Sequence, residues 1–302
     1  MSVVVTGATG FIGRALIQAL AQGGEDVISA SRTPPKDAKG RWIAFDAAAP
    51  SAELYDELER ASFVYHLAWS TVPSSAERDP GEDLRTNVGG ALKLMDVLSG
   101  ASRARLIFAS SGGTVYGDAG AGAIPETTPM KPCSAYGAGK ATVEQYLAVF
   151  GRLHNLDHTV VRLANPFGPG QSGTRAFGAV ATFTHRMMAG QPLTLFGNGS
   201  VVRDYVYIDD VVSALLACRQ PEAAGQTFNI GSGEGRSLLE VIDAAAAATG
   251  VNPIVEHLPG RAFDVPSNVL DVRYARERLD WSPSISFEEG VSRYVKSLRG
   301  QP

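Results

Sequence analysis

Residues 2–13 read Ser2-Val3-Val4-Val5-Thr6-Gly7-Ala8-Thr9-Gly10-Phe11-Ile12-Gly13, and this stretch decides the fold. Val3–Thr6 is a β-branched apolar run suited to a buried strand. Glycines recur at 7, 10 and 13, and a helical stretch follows over Phe11–Gln22. Glycine permits the tight turn, lets backbone N–H groups approach a pyrophosphate, and lets the helix pack closely on the strand. The helix N-terminus adds a partial positive charge. Strand, glycine turn and helix in that order mark a dinucleotide-binding unit, with Gly7, Gly10, Phe11, Ile12 and Gly13 as its cradle.

The same alternation continues down the first half of the chain. Val27–Ser31, Trp42–Phe45, Phe63–Ala68, Arg105–Ser110 and Thr159–Leu163 are strand-like runs. Arg85–Leu98 and a stretch from about Ala135 to His154 read as long helices between them. Strands separated by helices imply an α/β fold, a doubly wound parallel Rossmann sheet. After Asn165-Pro166-Phe167-Gly168-Pro169-Gly170 the pattern changes to shorter helices and isolated strands such as Leu193–Phe196 and Thr227–Ile230. The expected division is a dinucleotide-binding domain over 1–165 and a smaller C-terminal α/β substrate lobe over 166–302, with some chain crossing back.

Composition narrows the function. A net charge of −4 argues against broad nucleic-acid binding, which needs a basic surface. No apolar run approaches the roughly 18–20 residues that span a bilayer, and the N-terminal apolar run is too short and lacks a basic flank for a signal peptide. A cytoplasmic location is the default expectation. Cys133 and Cys218 lie far apart, and the five histidines include no HExxH motif, so no metal site is expected.

At the end of the second strand the usual acid for a ribose 2′-OH is absent; Ser31-Arg32 stands there. Arg32 either clamps a 2′-phosphate, which points to NADP, or is a solvated loop residue with NAD bound regardless. Asp46, after the third strand, is placed to accept from the adenine amino group. Farther on, Tyr136-Gly137-Ala138-Gly139-Lys140 sets tyrosine and lysine at i and i+4, on one helix face. A phenol of ordinary pKa, about 10, is a poor base at pH 7, and a neighbouring ammonium and a cationic nicotinamide are both expected to lower it.

With these motifs, His66-Leu67-Ala68, Asn87, Ser110-Ser111-Gly112-Gly113-Thr114-Val115-Tyr116-Gly117, Arg162-Leu163-Ala164-Asn165-Pro166, Arg203-Asp204-Tyr205-Val206 and Asn229-Ile230-Gly231 complete a pattern over nearly the whole chain. It resembles the extended short-chain dehydrogenase/reductases, within them the nucleotide-sugar epimerases and dehydratases, and the UDP-hexose 4-epimerases most of all. The resemblance implies a bound NAD and a nucleotide-diphosphate sugar as ligand. Tyr136 then takes the proton of the sugar 4-OH while hydride passes to the nicotinamide, and Lys140 holds the nicotinamide ribose. Leu67, Ala68, Asn87 and Ser110 fall in the cofactor pocket; Asn165 and Arg203, with Arg261 and Asp264 of a late motif, fall on the substrate side. The resemblance also implies a homodimer, paired through the two long helices.

Several positions depart from the pattern. Gly112 stands where a serine or threonine usually aids proton transfer, so that task falls to Ser111, Thr114 or water. Thr71 replaces a cofactor-holding lysine, and Trp69, shaping the pocket or filling core, replaces a small residue. Asn268 falls where a residue gates the sugar 2-substituent. His66 reads as a hydrogen-bonded core residue. A C4 epimerase leads, and an NADPH-dependent 4-keto-sugar reductase, favoured by Arg32 and Thr71, is the alternative. Gly113-Thr114 lacks the Asp-Glu pair of a 4,6-dehydratase, and intact Tyr136 and Lys140 oppose a non-enzymatic sensor.

Overall fold

The computed structural model describes residues 2–35, 40–47, 50–100, 103–173, 178–260 and 265–301. Seven strands form the central sheet: β1 (Ser2–Thr6), β2 (Asp26–Ser31), β3 (Arg41–Ala44), β4 (Phe63–His66), β5 (Arg105–Ser111), β6 (His158–Leu163) and β7 (Gln226–Ile230). Their order is β3-β2-β1-β4-β5-β6-β7, and every pairing is parallel. Successive side chains of a strand face opposite ways, and here both faces are covered by helices. Val3 and Val5 pack into one apolar cluster and Val4 into the other, which is why the run is apolar at every position.

The second half of the chain is woven into this sheet. Thr227–Ile230, expected as an isolated strand, lies within β7 and pairs in register with β6, Gln226 opposite Thr159 and Ile230 opposite Leu163. It is the edge strand of the sheet, with Phe228, Asn229 and Ile230 buried, and its neighbour is remote in sequence, so local pattern could not supply the pairing. Leu193–Phe196 is likewise paired, in parallel with Val255–Leu258. A second, five-stranded sheet centres on Val202–Tyr207, flanked by Gly235–Ser237, Ser267–Leu270 and Asn165–Phe167. Ala123–Ile124, from the first half of the chain, completes that sheet beside Ser267–Leu270.

Two helices position the site. Ala135–His154 starts at Ser134, whose hydroxyl accepts from the Gly137 N–H at 3.1 Å, and ends at Asn155 in the left-handed region. The helix expected over Arg85–Leu98 is interrupted: Pro80–Asp83 is α-helical, Leu84–Val88 is a π turn, and the α-helix resumes over Gly89–Leu98. A π turn inserts an extra residue into the helical ladder and tends to sit at functional sites. Asn87 lies on it.

Candidate active site

Gly7 adopts φ +72, and a Cβ there would lie 2.8 Å from the Ala68 backbone nitrogen. A Cβ on Gly13 would fall on the Gly7 carbonyl oxygen. The Gly10 N–H closes the turn on that same carbonyl at 2.8 Å. Helix Phe11–Gln22 has no side-chain cap and no acid in its first turn, which leaves N–H groups for an anionic ligand. This cradle fits a dinucleotide pyrophosphate. Phe11 and Ile12 pack against the core behind it. Arg14, which motif reading missed, donates to Thr9 O at 3.2 Å and to Gly170 O at 2.5 Å, tying the glycine turn to the loop after Asn165–Phe167.

Leu67 and Ala68 roof the turn, held by the Ala68 N–H donating to Thr6 Oγ1 at 3.3 Å. His66 Nδ1 meets the same hydroxyl at 2.9 Å. Burial, then the charge of Lys140, pushes His66 down to about 3, so it is a neutral core residue. At the end of β2, the buried Ser31 hydroxyl donates to Thr33 O at 2.7 Å and accepts from Trp42 Nε1 at 3.2 Å. It is therefore engaged inside the fold. Arg32 is exposed and has no partner among the described residues; Asp46 is exposed just beyond β3.

Asn87 and Ser110 also work inward. Asn87 Oδ1 accepts from Ser70 N at 2.8 Å and Ser70 Oγ at 3.0 Å. Its amide donates to Asp83 Oδ1 at 2.9 Å and Thr71 Oγ1 at 3.2 Å, and Thr71 donates to Asp83 in turn. Asn87 thus fixes the 66–71 loop with its whole hydrogen-bonding capacity. Ser110 donates to Glu144, a buried carboxylate that also takes Arg162 Nη2 at 2.6 Å. Arg162 donates onward to Tyr116 Oη at 2.8 Å, and Tyr116 to Asn229 Oδ1 at 2.7 Å. This chain joins the Tyr136 helix to β6 and β7 and was not read from sequence. Its signal was Glu144 four residues after Lys140, on the same helix face.

Tyr136 meets Trp69 edge-on, with centroids 5.9 Å apart. Lys140 does not point outward. Its Nζ donates to Ala109 O at 2.7 Å and sits 3.8 Å from the Trp69 ring centre and 4.8 Å from that of Phe108. Burial pushes Lys140 down to about 7, against the opposing pull of Asp83 and Glu144. Part of Tyr136 reaches the surface, yet protein atoms surround it densely. That burial raises its phenol, and Asp83 pushes the same way. The protein's own residues thus raise the phenol, because desolvation and Asp83 act on it while Lys140 is turned into its aromatic cage; the charge of a nicotinamide is not among them.

Gly112 is buried, and a Cβ there would lie 2.6 Å from Leu270 Cδ1. The side-chain direction that a relay serine would use is filled by Leu270. Ser111 and Thr114 are half-buried at the end of β5 and on the turn Gly112–Val115. A Cβ on Gly137 would be 2.6 Å from Thr114 O, so Thr114 lies directly against the Tyr136 helix.

On the far side, Asn165 donates to Asp204 O at 2.8 Å. Asp204 is fully buried and accepts from Ser232 N and Oγ, Gly233 N and Leu270 N, making it scaffold. Arg203 is half-buried and donates to Val202 O and Val265 O, each at 2.8 Å. Asn268 is buried; its amide donates to Gly112 O at 3.1 Å, and its Oδ1 has no partner among the described residues. Arg261 and Asp264 lie outside the described residues. Glycine turn, 66–71 loop, Ser111–Thr114 and Tyr136–Lys140 thus gather beyond the carboxyl ends of the parallel strands, where open α/β sheets bind ligands. Among the described residues no group of three or more His, Cys, Asp or Glu is placed to hold a metal, and no helix is long and apolar enough to cross a membrane.

Residues 3–231 match the NAD dependent epimerase/dehydratase family. The chain is 33% identical to a UDP-glucose 4-epimerase of Mycolicibacterium smegmatis over all of itself and 99% of that protein. It is 28% identical to the dTDP-4-dehydro-6-deoxyglucose reductase of Escherichia coli, over 98% of itself and 97% of that protein. The crystal structure of the Thermotoga maritima UDP-glucose 4-epimerase with UDP-glucose superposes with a TM-score of 0.91 at 34% identity, covering 99% of both chains. A glycine cradle shaped for a dinucleotide, a Tyr-x-x-x-Lys helix beside it and a match over three-quarters of the length agree: the chain belongs to the NAD-dependent epimerase/dehydratase family, enzymes of the extended short-chain dehydrogenase/reductase class.

Proposed function

We propose that this protein interconverts the C4 epimers of a UDP-hexose by transient oxidation at C4. The observation that carries the reading is the packing of the Tyr136–Lys140 helix against Thr114 and Trp69, on loops that also build the glycine cradle. NAD, when bound, supplies reversible acceptance of the C4 hydrogen. Gly7, Gly10 and Gly13 would hold its pyrophosphate, and Lys140 would hold its nicotinamide ribose. Burial and Asp83 hold Tyr136 as a phenol, so ionisation must come from cationic charge brought to it, which Lys140 carries one helical turn away. Tyr136 then takes the C4 hydroxyl proton directly or through Ser111 or Thr114. Asn165, Arg203 and Arg261 hold the diphosphate, and Asn268 borders the sugar. The likeness to two UDP-glucose 4-epimerases supports this substrate class.

A second reading, reduction of a 4-keto nucleotide sugar by NADPH, is favoured by Arg32, which is exposed and unpartnered among the described residues where a 2′-phosphate would lie. The reductase of Escherichia coli is a relative on that side. One experiment separates the two. The enzyme is incubated with catalytic NAD and UDP-glucose, and the C4 epimer is followed by NMR; in parallel a 4-keto-6-deoxy nucleotide sugar is offered with NADPH. Epimer formation without net cofactor consumption is expected. Stoichiometric NADPH oxidation with no epimer would replace the first reading by the second.

The active unit in this reading is a homodimer. Tyr146, Val149 and Leu153 are exposed along one face of the Ala135–His154 helix, and Leu84 is exposed on the neighbouring π turn.

A further inference from the structure

Asp83 is not among the residues assigned above to substrate, cofactor or proton transfer, yet it is buried beside the catalytic helix. Its carboxylate accepts from Thr71 and from the Asn87 amide, both neutral donors. Its other oxygen faces the catalytic helix: a Cβ on Gly139 would lie 2.8 Å from Asp83 Oδ2 and 3.1 Å from Trp69 Cζ2. Glycine at 139 therefore makes room for both the carboxylate and the indole at the residue preceding Lys140. No arginine or lysine forms a salt bridge with Asp83 among the described residues.

Lys140 needs such a neighbour. Its ammonium is enclosed by Trp69 from the loop after β4, Phe108 and Ala109 O from β5, and Tyr136 from its own helix. Of the titratable groups around it, His66 on β4 is neutral and Tyr136 is a phenol. Glu144, one turn along the helix, is engaged by Arg162 Nε and Nη2 and by Ser110, so its charge is already met. Asp83, from the helix before the π turn, is left as the uncompensated anion. A buried ammonium with one carbonyl and two aromatic faces is poorly solvated, and a nearby opposite charge favours its charged form; Asp83, set against Gly139 next to Lys140 in the chain, acts on Lys140 in that sense without a direct salt bridge.

We propose that Asp83 is a positioning residue for the Tyr136–Lys140 pair: wedged between the 66–71 loop and the catalytic helix, it is the counter-charge that keeps Lys140 an ammonium inside its aromatic cage. Trp69 and Gly139 are the fitted surfaces that bring the two together. The consequence for catalysis rests on the C4-oxidation reading; the test does not.

The test is a pH titration of Lys140 in the full chain, read from the ¹³Cε resonances of labelled lysine and assigned with Lys140→Arg. Asp83→Asn keeps an oxygen for Thr71 and Asn87 and removes the charge. The expected result is a Lys140 midpoint lower by about one pH unit, a tenfold change in its protonation equilibrium. Thr71→Val, which removes a hydrogen bond to Asp83 but keeps the charge, is expected to leave the midpoint in place. Asp83→Ser gives a second neutral substitution should the amide variant not fold. A midpoint that stays or rises in the neutral variants, or that falls equally in Thr71→Val, overturns the assignment. A shifted midpoint in an enzyme without epimerase activity would instead sink the functional reading and leave Asp83 as assigned.

Discussion

Where a relay hydroxyl would complete the site, Gly112 turns toward Leu270, and the space beyond its Cα is full. Gly112→Ser is therefore expected to strain the contact with Ser267–Leu270 rather than restore a relay. The proton path falls to the neighbours on the same turn: Ser111→Ala and Thr114→Val should each lower kcat, at least one by about tenfold or more, within the range of a positioned proton-transfer group. Full activity in the double variant would hand the proton to water or to the substrate's own hydroxyls. At this scale the sequence spoke clearly where function depends on local spacing. Tyr136 and Lys140 are one turn apart, and Gly7, Gly10 and Gly13 lie within one strand–helix junction. It was silent on Glu144 and Asp83, and on the inward engagement of Ser31, Asn87 and Ser110, because each depends on a neighbour from another segment.

The Ala135–His154 helix does two jobs with two faces. Lys140, Val143, Glu144 and Leu147 are buried against the sheet, while Tyr146, Val149 and Leu153 point away, with Leu153 65% exposed. Residues at i, i+3 and i+7 share a helix face, and an apolar stripe left in water is a surface awaiting a partner. A second copy meeting it across a two-fold axis makes the contact isologous. Light scattering at micromolar concentration is expected to give twice the 31.8 kDa chain mass, and Val149→Glu with Leu153→Glu should return it to monomer. A monomeric wild type would remove the dimer. The helix's limits, about Ala135 to His154, were read from the sequence and match the structure. The π turn before Gly89 was not, since Leu84–Val88 contains no proline or glycine to mark it.

On the scale of the whole molecule, the parallel sheet was readable because each strand–helix pair is a local unit. Some chain crossing back between the halves was expected; what escaped is which segments cross. β7 comes from residues beyond 225, Ala123–Ile124 crosses into the smaller sheet, and Arg14 reaches Gly170. These contacts hold part of the second half of the chain over the strand ends, so the C4 oxidation proposed above would depend on both halves at once. The most direct measurement of that account uses UDP-glucose deuterated at C4, in ordinary water, with unlabelled NAD in catalytic amount. If Tyr136 moves only the hydroxyl proton and the C4 hydrogen returns to the same carbon, the UDP-galactose formed should keep its deuterium at C4 over many turnovers. Product that has lost the label, or no epimer at all, would contradict it.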